Sequence, residues 1–166
     1  AENLSRTLDL GITTVRDAGG ADLGTKTAQE DGLIRGSRLM ISVAAIGPTG
    51  GHTDAWKVSG ARPYHWMPHP GRPLAMADGE DEMRRTAREL MRAGADTLKV
   101  CASGGVMSVR DSPHHEQFSE GEMRVLVQEG ARLGKHVMAH AQGSAGIEQA
   151  VKAGVRSIEH GTFLSD

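Results

Sequence analysis

The stretch "MRAGADTLKVCASGG", Met91–Gly105, decides how this chain folds. A helical segment ends at Gly94, a short apolar run follows (Leu98, Val100, Ala102), and the run breaks into a glycine pair. Glycine is the expected cap where a helix hands over to a strand. The pattern recurs in "LDLGITTVRDAGG" (8–20), "ARLGKHVMAHAQG" (131–143) and "VKAGVRSIEHG" (151–161). Each time a glycine stands five or six residues before a polar residue: Gly11 before Asp17, Gly94 before Lys99, Gly134 before His140, Gly154 before His160. A fifth strand, "RLMISVAAIGPTGG" (38–51), lacks this glycine and runs into a glycine-rich turn.

The intervening segments read as helices. "ADGEDEMRRTARELMRAG" (77–94) takes Asp78 as its N-cap and places Glu80, Asp81 and Glu82 at the positive end of the helix dipole. Met83, Ala87, Leu90 and Met91 fall at helical spacing and face a core. "SEGEMRVLVQEGARLG" (119–134) opens with a capping box from Ser119 to Glu122. "GSAGIEQAVKAG" (143–154) carries Ile147, Ala150 and Val151 on one side, and a further helix lies within "ADLGTKTAQEDGLIRGS" (21–37). Strands alternating with helices at this interval predict βα units, hence an α/β fold with a parallel sheet. About five strands fit either an open doubly wound sheet or part of a (βα)8 barrel, which needs about 250 residues. No G-x-G-x-x-G or P-loop opens any strand; "ASGGVMS" (102–108) matches neither.

Composition excludes several classes. At 24 % charged and 38 % hydrophobic residues the chain has a globular balance. Its net charge of −2 leaves no basic footprint for nucleic acid. The lone cysteine, Cys101, permits no internal disulfide and reads as a packing residue. No apolar run reaches the roughly 18 residues of a membrane span, so no membrane partner is expected. No signal peptide is visible, and localisation stays open with the cytoplasm favoured. The chain starts at Ala1 and stops just after a strand, so both ends read as cut.

In a barrel, chemistry sits at the C-terminal ends of strands and on the loops that follow. Those positions hold Asp17, the loop "GPTGGHTD" (47–54), Lys99, His140 and His160. The register predicts one rim and one pocket. Two strand-end histidines can share a metal ion, because neutral imidazole is a ready ligand; each alone also reads as a hydrogen-bonded core histidine. Lys99 has three readings: a snorkelling lysine, a Schiff-base lysine with its pKa lowered by burial, or a lysine carboxylated by carbon dioxide, whose two carbamate oxygens can bridge two cations. Spacing does not separate the last two. The neighbouring histidines favour the carbamate, since a Schiff base needs no imidazole ligands.

"GITTVRDAGG", "GGHTD", "GADTLKVCASGGVMS", "HVMAHAQG" and "GVRSIEHG", in this order, resemble the amidohydrolase superfamily, above all its imidazolonepropionase-like branch with the metal-dependent prolidases (Xaa-Pro dipeptidases). The resemblance implies a TIM-type barrel holding two divalent metal ions, expected to be zinc. Lys99 would be the carboxylated lysine bridging them. His140 and His160 would bind the second metal. "TTVRD" becomes strand two and "RLMISVAAIG" strand three, so residues 1–166 cover about strands 2 to 6. The family's H-x-H pair on strand one, its aspartate after strand eight and its amino-terminal β-sandwich have no counterpart here. The expectation is therefore a central barrel piece, inactive alone. Asp17 is not a substitute for that aspartate. It is expected to hold loops through hydrogen bonds from backbone amides.

The implied reaction is hydrolysis of an amide or peptide bond in a small-molecule or dipeptide substrate, by hydroxide generated between the metals. His52, in "GGHTD", is the candidate donor to a substrate carboxylate or oxyanion, and reads equally as a loop histidine capping a turn. Gln142, two positions after His140, is a specificity candidate. Tyr64 and Trp66, in the long connection "SGARPYHWMPHPGRPLAMADG" (59–79), either pack on substrate or cover the barrel rim. His65, His69, His114, His115 and His136 lie outside strand-end register and read as surface or loop residues. Gly104 and Gly105 let the backbone come close to the site. Two other functions compete: a Schiff-base aldolase barrel using Lys99, and a non-catalytic partial barrel forming homo-oligomers through open sheet edges.

Overall fold

The computed structural model describes residues 2–54, 56–61, 68–108 and 110–165. Tyr64, His65 and Trp66 lie outside the described residues. The elements are α1 (Glu2–Asp9), β1 (Thr14–Asp17), α2 (Leu23–Glu30), β2 (Arg38–Ile41), β3 (Ala45–Ile46), α3 (Glu80–Arg92), β4 (Leu98–Cys101), α4 (Glu120–Ala131), β5 (Val137–Gly143), α5 (Ser144–Ala153) and β6 (Ser157–Phe163). All strand pairs are parallel. β1 pairs with β2, and β3-β4-β5-β6 follow in sequence order. This is the α/β order of consecutive βα units.

The expected third strand is two strands. Ser42–Ala44 interrupts it, with Val43 at φ 66°. A β-branched residue takes a left-handed φ only when its surroundings hold it there. Val43 is fully buried and its carbonyl accepts from the Gly20 amide, which holds the bend. β2 is nonetheless tied to the start of β4, because the Ile41 carbonyl accepts from the amides of Asp96 and Thr97. The remaining strands appear where the glycine pattern predicts them, and Gly11, Gly94, Gly134 and Gly154 have φ of 85°, 96°, 64° and 90°. Only glycine takes this region without strain.

The apolar core lies between strands and helices. Leu98, Val100, Ala102, Val137, Ala139 and Ala141 join Met83, Ala87, Leu90, Leu126 and Ile147 in it. Met91 is half-buried against it. Val151 is 61 % exposed, so the expected inward stripe on α5 is narrower: Gly146, Ile147, Ala150 and Ala153 fill it instead. The N-cap of α3 is Gly79, not Asp78. The Asp78 carboxylate is drawn away to the Thr49 amide and hydroxyl, and Glu82 and Glu122 accept from the amides of Asp78 and Gly79. The Ser119–Glu122 capping box forms as read.

Alternation along each strand sends the other side chains to the opposite, inner face. There Arg16 of β1 reaches across to β6. Its guanidinium meets the Glu159 carboxylate at 2.7 Å and the Ser157 hydroxyl at 3.1 Å. First and last strands touch through these side chains, so the array is curved as a barrel wall.

Candidate active site

The site gathers at the C-terminal ends of β3 to β6. Lys99 is central in β4, buried to 4 % exposure. Among the described residues no hydrogen bond or ion pair is made by its ammonium. Burial lowers its pKa; Cys101 and Glu159 pull it up and Arg16 pushes it further down. Burial also pushes the Cys101 thiol up to about 12, which keeps it a packing group and not a nucleophile.

His140 lies within β5, which runs on to Gly143. It is 6 % exposed. Its Nε2 sits 3.0 Å from the Gly104 carbonyl. A carbonyl only accepts, so Nε2 carries the hydrogen and Nδ1 keeps the free lone pair. Burial pushes the imidazole pKa down to about 4, against the pull of that hydrogen bond and with the help of the charges of His52, His160 and Lys99. The ring is therefore neutral, the form that binds metals.

His160 lies inside β6, not at its end, where the pairing with β5 slips between Ala141 and Gly143. His160 itself has φ 79° and Gly161 φ 61°. Such a bulge re-aims a side chain. The His160 ring meets the His140 ring edge-on, with centroids 4.8 Å apart.

His52 arrives from the loop after β3. Its ring stacks on His140 at 4.5 Å, tilted by 14°. Its backbone amide donates to the Gln117 side chain, and its Nδ1 is 2.6 Å from the Ser108 hydroxyl. A Cβ on Gly105 would overlap the His52 ring, which is why glycine stands there. Burial lowers the His52 pKa, Asp111 pulls it up, and His160 and Lys99 push it down.

Gln142 is buried and its side-chain oxygen accepts from the Thr162 hydroxyl at 3.0 Å. Its backbone amide donates to the Ser103 hydroxyl. Asp17 is a loop staple: one carboxylate oxygen accepts from the amides of Gly19 and Ala21. His69, His114, His115 and His136 are exposed, and His114 packs on Phe163.

The structure thus brings Lys99, His52, His140 and His160 to one rim. Ser108 and Asp111, which approach His52, carry no sequence signal because neither holds a strand-end position. Among the described residues no three His, Cys, Asp or Glu side chains converge tightly enough to hold an ion unaided. The donors present still suit one. Two imidazoles stand together, one with its second nitrogen held by a carbonyl as metal-ligating histidines usually are, beside a buried amine that can become an anion. Also among the described residues, no helix is long and apolar enough to cross a membrane.

A parallel βα array with its polar groups on the C-terminal rim defines a barrel-type scaffold with a histidine-rich site. Residues 1–166 match the amidohydrolase family throughout, and the chain belongs to that family. Ochratoxinase of Aspergillus niger is 40 % identical over 170 residues, which is 96 % of this chain and 35 % of that protein. A prolidase solved with N-methylphosphonate-L-proline superposes with a TM-score of 0.84 at 40 % identity, over 98 % of this chain and 40 % of the prolidase. A Xaa-Pro dipeptidase with methionine in its active site superposes with a TM-score of 0.86 at 34 % identity, over 99 % of this chain and 40 % of that one. The chain spans about a third of the length of the curated relatives it matches. Partial coverage of barrel proteins agrees with a partial barrel.

Proposed function

We propose that these residues form the metal-binding part of an amide-bond hydrolase acting on small substrates, Xaa-Pro dipeptides foremost. Lys99 carries this reading: a buried ammonium, without a hydrogen-bond partner among the described residues, on the same wall as His140 and His160. The substrate class draws support from the prolidase and dipeptidase relatives, and ochratoxinase widens it to other small molecules.

The implied cofactors are two divalent cations, expected to be zinc. His140 and His160 would hold one, and Lys99, as a carbamate, would join the two. When bound, the cations supply a water acidic enough to ionise near neutral pH and a positive field for the carbonyl oxygen. Lys99 contributes charge: its neutral amine adds to carbon dioxide, a nitrogen–carbon bond forms, a proton is released, and the wall gains an anion. The Gly104 carbonyl keeps the His140 ring from rotating. His52, stacked on His140, touches the substrate. Gln142, tied to Thr162, shapes the pocket wall.

The test is zinc loading of the chain in 13C-labelled bicarbonate. A carbamate carbon resonance that vanishes in Lys99→Met, with bound zinc that falls in His140→Ala and His160→Ala, is expected. No zinc retained and no carbamate signal would overturn the reading. Borohydride trapping of a carbonyl substrate on Lys99 would replace it with Schiff-base chemistry.

A further inference from the structure

The loop after β4 carries a buried carboxylate, that of Asp111. The Asp111 side chain is 7 % exposed. One oxygen, Oδ1, accepts from the Gly105 amide at 3.1 Å. The other, Oδ2, is buried with no hydrogen-bond partner among the described residues. It lies 3.9 Å from Nδ1 of His52, the nitrogen that is 2.6 Å from the Ser108 hydroxyl. An unpaired buried carboxylate oxygen is costly, and its presence asks for a use.

We infer that Asp111 is the positioning residue of His52, holding the imidazole with its hydrogen on Nδ1. The negative oxygen attracts the hydrogen-bearing edge of the ring. Ser108 then accepts from Nδ1, and Nε2 is left as a bare lone pair. The ring has little freedom to turn, because Gly105 lies beneath it and His140 stacks on it. A neutral His52 so held accepts a hydrogen bond and does not donate one. It would meet a hydrogen-bearing part of a ligand, an ammonium or N–H, and not a carboxylate.

This deepens the reading of His52 as a substrate contact and rests on that reading for its role, but not for its test. The side-chain imidazole nitrogens of the 15N-labelled 166-residue chain are observed by long-range proton–nitrogen correlation. No substrate or metal is present, and the pH is well above the ordinary imidazole pKa. Protonated and bare ring nitrogens resonate far apart, so the tautomer is read directly. The His52 signals are assigned by their loss in His52→Gln.

The expected result is a predominant Nδ1–H form that becomes a mixture in Asp111→Asn while the His140 signals stay in place. A predominant Nε2–H form in the unaltered chain, or an unchanged tautomer in a folded Asp111→Asn, would overturn the assignment. If Asp111→Asn fails to fold, Ser108→Ala decides. Retention of Nδ1–H there credits Asp111, and its loss shows that Ser108 alone sets the ring. Because zinc and carbamate play no part, the tautomer can fail while the hydrolase reading stands, and the reverse also holds.

Discussion

A lysine interior to a strand is costly to keep charged, since desolvation penalises the ammonium and, among the described residues, no carboxylate within bonding distance compensates. Lys99 is therefore a liability for folding, one that the proposed role at the rim would explain. Replacing it with methionine of similar length removes the liability. Lys99→Met is expected to raise the unfolding free energy of the metal-free chain by about 1–3 kcal/mol, read from urea denaturation; a loss of stability would mean that the amine has a structural partner. His52 shows the opposite kind of dependence. Its sequence neighbours identify only a loop, and everything that orients it comes from more than fifty residues away: Gly105, Ser108, Asp111, Gln117 and His140. Lys99 and His140 were legible because strand periodicity places them, whereas the orientation of His160 depends on the bulge in β6. Ser108 and Asp111 were not, because loop geometry has no such period.

Asp96 shows how elements are joined. Its two carboxylate oxygens accept from the Lys26 ammonium of α2 at 2.7 and 2.8 Å, and one of them accepts from the Ile41 amide of β2 at 2.9 Å. Burial pulls its pKa up, but the hydrogen bonds from Lys26 and Ile41, with the charges of Lys26 and Lys135, outweigh that and leave it below the ordinary value. A depressed folded-state pKa stabilises above the unfolded pKa of about 3.9 and loses that stabilisation as pH falls through the folded value. Asp96→Asn should lower stability near neutral pH and flatten the acid limb of a stability–pH curve measured by denaturant titration. An acid limb of unchanged slope would show that other carboxylates govern it. Helix starts were readable where the cap is local, as at Ser119. At Asp78 the reading failed because Thr49, from a distant loop, competes for the same carboxylate. Val151 failed because helical spacing gives a face but not its width.

At the scale of the whole molecule the inner-face pair Arg16–Glu159 links the first strand to the last, 143 positions apart. The side chains are 40 % and 27 % exposed, so the pair is partly screened. A double-mutant cycle with Arg16→Met and Glu159→Gln should return a coupling of about 1 kcal/mol that shrinks as salt is added. A coupling near zero would mean that backbone pairing alone curves the array. Local chemistry in the sequence determined the alternation of helices and strands, the glycine-marked junctions, the parallel order and the strand positions of Lys99 and His140, since caps and periodicities act over a few residues. Only the tertiary structure decided the break of the third strand at Val43, the bulge at His160, the arrival of His52 with Ser108 and Asp111, and the Arg16–Glu159 contact. These depend on which distant atoms meet, and no local propensity encodes that.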